Sequence, residues 1–175
     1  IIAYTSGGIL ADEYKKAGAQ VVRFDTAARM DIIAINKLIK LIKARNVDIV
    51  HSHQMRYDFL GSIASRLSKT PFIFTRHQSI SDYPINYFKK TIFLAIDSFV
   101  AVKLADRIAA VSKFIADDLK AKEGVPEGKT SIIYSGLDLK RYGKDIKAGN
   151  IRKEFSIDPG APLIGTVGRI SIEKA

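Results

Sequence analysis

The sequence predicts an α/β protein, a doubly wound Rossmann-like parallel sheet followed by the start of a second Rossmann-like domain. Three observations carry that expectation. Short apolar runs that suit strands alternate strictly with helical stretches from Ile1 to Tyr134. The connections between them are short, as βαβ units require. After a polar, basic stretch, a new apolar run opens at Ala161 and ends on Gly168-Arg169.

Taken in order, Ile1 to Tyr4 reads as a short buried strand, Gly7 and Gly8 as a turn, and Ile9 to Ala17 as a helix stopped by Gly18. Gln20 to Phe24 is the next strand. Asp31 is placed to cap a helix reaching Arg45, whose apolar face is built from Ile32, Ile35, Leu38, Ile39 and Ile42. Val47 to His51 is a third strand, followed by a loop of Ser52, His53 and Gln54 and then a helix from Tyr57 to Leu67. Pro71 opens the fourth strand, which breaks into Arg76, His77, Gln78 and Ser79. A long helix is expected from Pro84 to about Ala105, packed onto the sheet, then a strand from Arg107 to Val111. Ser112 caps a helix from Lys113 to Lys122, and Ser131 to Tyr134 is the last strand of this part. Beyond it, Ile151 to Phe155 reads as a short helical piece, and Ala161 to Val167 as a buried strand of a second domain. The domain boundaries expected are residues 1–150, a linker 151–159, and 160–175.

Composition narrows the function classes. The chain has 175 residues, 47% hydrophobic and 26% charged, which suits a soluble globular domain. No cysteine is present, so disulfide frameworks and thiolate metal sites are excluded, in keeping with a reducing, cytoplasmic compartment. The net charge of +10 favours anionic partners. The excess is spread evenly, unlike a basic arm, and no aromatic-basic interleaving appears, so no nucleic acid is expected. The longest apolar stretch, Thr91 to Val102, contains Asp97 and Ser98 and is too short to span a bilayer. The chain opens in mid-strand, as a fragment or trimmed sequence would.

The chemistry gathers at strand ends. In open parallel sheets, ligands sit in the crevice beyond the carboxyl ends of the strands. All three histidines fall there: His51 and His53 after one strand, His77 after another, with Gln78 and Ser79 beside it. Clustered imidazoles suit acid–base work, hydrogen bonding to sugar hydroxyls or phosphate, or a metal. The nearest acid in sequence is Asp58, already inside a helix, so no metal site is expected. His51 is still on its strand, where a core histidine is the ordinary outcome. Ser6-Gly7-Gly8 before a helix suits an anion or a simple turn. Gly168-Arg169 followed by Lys174 places two cations just past an apolar run, an arrangement suited to a diphosphate. Lys89, Lys90 and Lys103 flank the apolar helix and suit an anionic membrane surface.

Five segments in this order resemble the GT-B glycosyltransferases of family 4, also called glycosyl transferases group 1. They are VDIVHSH, PFIFTRHQS, DRIAAVSKFIADDL, IIYSGLDLKRY and TVGRISIEKA. The family's usual N-G-V-D and G-R-x-x-x-x-K-G show Ser135 in place of Asn and Ala175 in place of the last Gly. The resemblance implies an acceptor-binding N-terminal domain and the first strand of a nucleotide-sugar-binding C-terminal domain. Members are retaining, commonly metal-independent enzymes without a cofactor, using a nucleoside-diphosphate sugar as donor substrate. Acceptors are saccharides, lipid-linked sugars or small molecules, such as envelope polysaccharide or glycolipid precursors at the cytoplasmic membrane face.

The resemblance also assigns roles. His77 falls on the histidine near the transferred sugar, and Gly168, Arg169 and Lys174 on the group that meets the donor diphosphate. His51, His53, Gln78 and Ser79 are acceptor-side candidates. The family's opening strand and glycine-rich loop would precede Ile1, which leaves a hole expected at the centre of the sheet. The E-x7-E segment that handles the donor would lie beyond Ala175. The 175 residues alone are therefore expected to be inactive. The competing expectations are a GT-B nucleotide-sugar epimerase and a non-catalytic basic α/β binding domain.

Overall fold

The computed structural model describes residues 1–5, 9–24, 31–80, 86–139 and 149–165. The chain divides into two compact units, 1–134 and 135–175. In the first unit, β1 (Ile2–Tyr4), α1 (Ile9–Lys16), β2 (Val21–Arg23), α2 (Ile32–Ala44), β3 (Val50–Ser52) and α3 (Met55–Ser68) follow one another. Then come β4 (Phe72–Arg76), α4 (Tyr87–Phe99), one π-helical turn (Val100–Leu104), β5 (Arg107–Ala110), α5 (Lys113–Glu123) and β6 (Thr130–Ile132). Every strand pairing is parallel. The chain has the α/β architecture expected from its strand–helix alternation.

The strands form two sheets, β1-β2 and β3-β4-β5-β6. Between the open edges of β1 and β3 lies a cavity of about 930 Å³, lined by Ile2, Tyr4, Leu38, Ile42, Val50 and Leu60 among others. The main core sits on the four-stranded sheet: Phe72 and Phe74 of β4, Ile108 and Ala110 of β5, and Ile115 and Leu119 of α5.

Caps follow the sequence reading. Asp31 accepts the Ala34 N–H at 2.9 Å, and Ser112 accepts that of Ile115 at 3.2 Å. Gly124 ends α5 at φ +68°, a left-handed conformation that a glycine adopts without Cβ strain. Several boundaries differ from expectation, and the ladder explains the clearest case. Val50 is in register with Phe72, the first residue of β4, so the residues from Val47 have no partner strand alongside. On α2 the buried face is Ala34 and Ile42 with Ile35 and Leu38 beside them, while Ile32, on the first turn, is exposed. Pro84 lies outside the described residues; α4 starts after Asn86, whose side chain accepts the Lys89 N–H.

In the second unit, α6 (Ile151–Glu154) is a single turn. Arg152 ties the following bend by donating to the carbonyls of Asp158 and Ala161. The buried strand expected from Ala161 is not formed over the described residues 161–165, and Ile164 is 96% exposed. A parallel strand is stabilised by its ladder. Among the described residues of this unit none pairs with it. Residues 166 and 167 lie outside the described residues.

Candidate functional site

The site grows from the register of β3 and β4. His51 is opposite Ile73 and Ser52 opposite Phe74, so His53 and His77 leave their parallel strands side by side. Alternation of side chains then sorts the residues. Ser52 points inward and donates to the buried Asp58 carboxylate, which fastens the end of β3 to the first turn of α3. His51 and His53 point the other way, and all three histidines are exposed.

The rings form one row. His51 Nε2 is 2.8 Å from the Thr75 hydroxyl, the His51 and His53 rings stack with centroids 4.3 Å apart, and His53 Nδ1 lies 3.2 Å from His77 Nε2. Burial and the neighbouring His77 lower the pKa of His51. Burial, then His51 and His77, lower that of His53. His51 and His53 are therefore held towards the neutral form, in which an imidazole offers one N–H and one lone pair. Such a surface hydrogen-bonds hydroxyls and phosphate oxygens. Among the described residues no group of three or more His, Asp and Glu is placed to hold a metal ion.

Beneath the row is a buried ionic network that sequence reasoning missed. Arg76 is the last residue of β4 and only 3% exposed. Its guanidinium stands 5.1 Å from the Phe74 ring centroid, donates to Glu123 of α5 at 3.0 Å and approaches Asp97 of α4 at 3.9 Å. Burial, opposed by Arg76 and reinforced by Asp97, Asp118 and Asp58, pushes the Glu123 carboxyl up to about 7. Ser79 is likewise buried, donating to Asp118 at 2.7 Å with Lys122 ion-paired to the same carboxylate. Both residues anchor the loop that carries His77. The alternation Phe72-x-Phe74-x-Arg76 was the available signal, since it places Arg76 on the buried face.

The sequence pattern of Glycosyltransferase Family 4 matches residues 1–141, well over half of the chain. The chain belongs to that family. The family 4 chain is 26% identical over 146 residues to the UDP-Gal:α-D-GlcNAc-diphosphoundecaprenol α-1,3-galactosyltransferase of Escherichia coli, covering 82% of this chain and 38% of that protein. It is also 26% identical over 146 residues to the α-maltose-1-phosphate synthase of Mycobacterium tuberculosis, covering 78% and 37%. It thus spans less than two fifths of these curated relatives. The structure of Anabaena Alr3699/HepE in complex with UDP-glucose superposes with a TM-score of 0.68 at 16% identity, over 88% of this chain and 41% of that one. A glycosyltransferase of Rickettsia africae gives 0.64 at 21%, over 89% and 41%. The fold is that of the GT-B glycosyltransferases.

Of the residues singled out in the family 4 sequence, the structure brings together His51, His53 and His77, with exposed Gln78 next to them. Ser79, expected on the acceptor side, is turned into the fold instead, because its hydroxyl is used by Asp118. The core-histidine reading of His51 is overturned by its exposure at the open edge of the sheet. Gly168, Arg169 and Lys174, like Ser6-Gly7-Gly8, lie outside the described residues.

Proposed function

We propose that the full-length protein is a retaining glycosyltransferase transferring a sugar from a nucleoside-diphosphate sugar to a saccharide, lipid-linked or small acceptor. Residues 1 to about 150 form its acceptor-side domain, 151–159 the linker, and 160 onward the start of the donor-binding domain. The observation that carries this reading is the row His51–His53–His77 at the adjoining carboxyl ends of β3 and β4, in a chain of this family. His77 faces the transferred sugar, with His51, His53 and Gln78 on the acceptor side. Gly168, Arg169 and Lys174 meet the donor diphosphate. Two cations aimed at growing leaving-group charge lower the barrier without a metal. The relatives agree in substrate class: the Escherichia coli enzyme is named for a UDP-Gal donor and a diphosphoundecaprenol-linked acceptor, and the Anabaena structure contains UDP-glucose.

An envelope-type acceptor would place the enzyme peripherally on the cytoplasmic, anionic face of a membrane. The support is α4, whose inward side carries Asp97 to Arg76 while Phe88, Ile92, Ala95 and Phe99, at 4, 3 and 4 spacing, are exposed. Tyr87 and Phe88 are 86% and 73% exposed, and exposed Lys89 and half-buried Lys90 follow them. An apolar stripe beside cations suits the headgroup boundary. Among the described residues no helix is long and apolar enough to cross a membrane. Sedimentation with anionic but not neutral vesicles, lost in a Phe88→Ser, Phe99→Ser variant, is the expected result; equal recovery with both vesicles rejects the membrane assignment.

The function itself is tested by screening nucleotide sugars with the full-length protein, wild type, His77→Ala and Arg169→Ala. Transfer by the wild type, lost in both variants, is expected. Conversion of the donor sugar to its epimer without transfer would make the protein an epimerase. A polypeptide limited to the 175 residues should show neither transfer nor donor hydrolysis.

A further inference from the structure

The geometry points to His53 as a positioning residue for His77, acting through a ring-to-ring hydrogen bond between His53 Nδ1 and His77 Nε2. This inference rests on the assignment of His77 to the transferred sugar. Its physical content, the bond between the two rings, can be tested without it.

The 3.2 Å separation of the two nitrogens is within hydrogen-bond reach. One of them must carry the proton and the other the lone pair, so the tautomers of the two rings are coupled. With Nε2 of His77 engaged, its Nδ1 is the nitrogen left for a ligand. Because His77 sits on the loop just past β4, its ring needs something besides backbone to fix χ2. Arg76 and Ser79 hold that loop from below, through Glu123 and Asp118. His53 supplies the lateral hold. It is itself held, since its ring stacks on His51, and His51 is fixed by the Thr75 hydroxyl at 2.8 Å. Thr75 returns the chain of contacts to β4, two residues before His77, which closes a loop of four side chains across the β3–β4 pair. A row in which every ring has a neighbour on a different strand is braced, whereas a single exposed histidine on a loop is free to rotate. His53 does not need to contact substrate for this role.

Two measurements test it. In the 175-residue chain, with only three histidines, imidazole ¹⁵N shifts report the tautomer of each ring. The expected result is one dominant tautomer at His77, replaced by the mixed population of a free imidazole in His53→Ala and restored in His53→Asn. The Asn amide stands where Nδ1 stood. An unchanged His77 spectrum in His53→Ala overturns the proposal. In the full-length enzyme, His53→Ala should lower kcat by about tenfold, the scale of one hydrogen bond, with donor KM within about twofold. His53→Asn should recover most of kcat. A loss expressed wholly in acceptor KM, with the His77 tautomer unchanged, would make His53 an acceptor contact and overturn the positioning role. A full-length protein with no transferase activity would instead count against the proposed function, leaving the tautomer measurement to decide the bond between the rings.

Discussion

Replacing Glu123 by Gln should abolish a specific pH dependence of stability. Glu123 is buried against Arg76 with Asp97, Asp118 and Asp58 nearby, and burial and these carboxylates outweigh the one guanidinium, raising its pKa from 4.5 to about 7. Between those values the folded protein holds a proton that the unfolded chain has released. The contribution is therefore present in full below the unfolded value and is lost as pH rises through about 7. At about 1.4 kcal/mol per pH unit, the interval corresponds to roughly 3 kcal/mol. Urea unfolding of wild type and Glu123→Gln at several pH values from 4 to 8 reads this out, because titration of groups that do not interact with Glu123 cancels in the difference. The wild type should lose roughly 3 kcal/mol relative to the variant across that range. A flat difference would show that Glu123 does not titrate there. A difference of opposite slope would show that Arg76, at 3.0 Å, holds the carboxylate charged, and that the electrostatic reasoning is wrong.

Other perturbations follow from the same contacts. Arg76→Met leaves Asp97 and Glu123 without their buried cation and should cost about 3–5 kcal/mol in urea unfolding. In His77→Ala, NMR titration should show the pKa values of His51 and His53 rising, since one cause of their depression is gone; burial remains, so the return is partial. Gly61→Ala puts a Cβ 3.0 Å from the ring of fully buried Phe72. Overpacking should outweigh the gain in helix propensity, for a net loss of about 1 kcal/mol by thermal or urea unfolding.

The strand–helix order of residues 1–134 was legible because strands and helices carry different periodicities and some helices announce their caps, as Asp31 and Ser112 show. Exact strand limits were not, since they depend on the partner: β3 begins where Phe72 begins, a fact located on another strand. The same holds for polar residues near the site. Arg76 reads as the point where β4 breaks into polar residues and Ser79 as an acceptor-side candidate, until α4 and α5 bring Asp97, Glu123 and Asp118 beside them. Conversely, His51 read as core until the open sheet edge left it exposed. The helix α4 is apolar around much of its circumference, so its sequence does not reveal that Asp97 faces in and Phe88 and Phe99 face out. The apolar run from Ala161 suggested a strand, but hydrophobicity alone does not supply the neighbour that a ladder needs.

The central proposal, that His77 at the end of β4 faces a transferred sugar, is tested most directly by single-turnover transfer from nucleoside-diphosphate sugars in the full-length protein. Turnover by the wild type, abolished in His77→Ala and reduced about a hundredfold or more in Arg169→Ala, is the result the account predicts. Undiminished transfer in His77→Ala would contradict it.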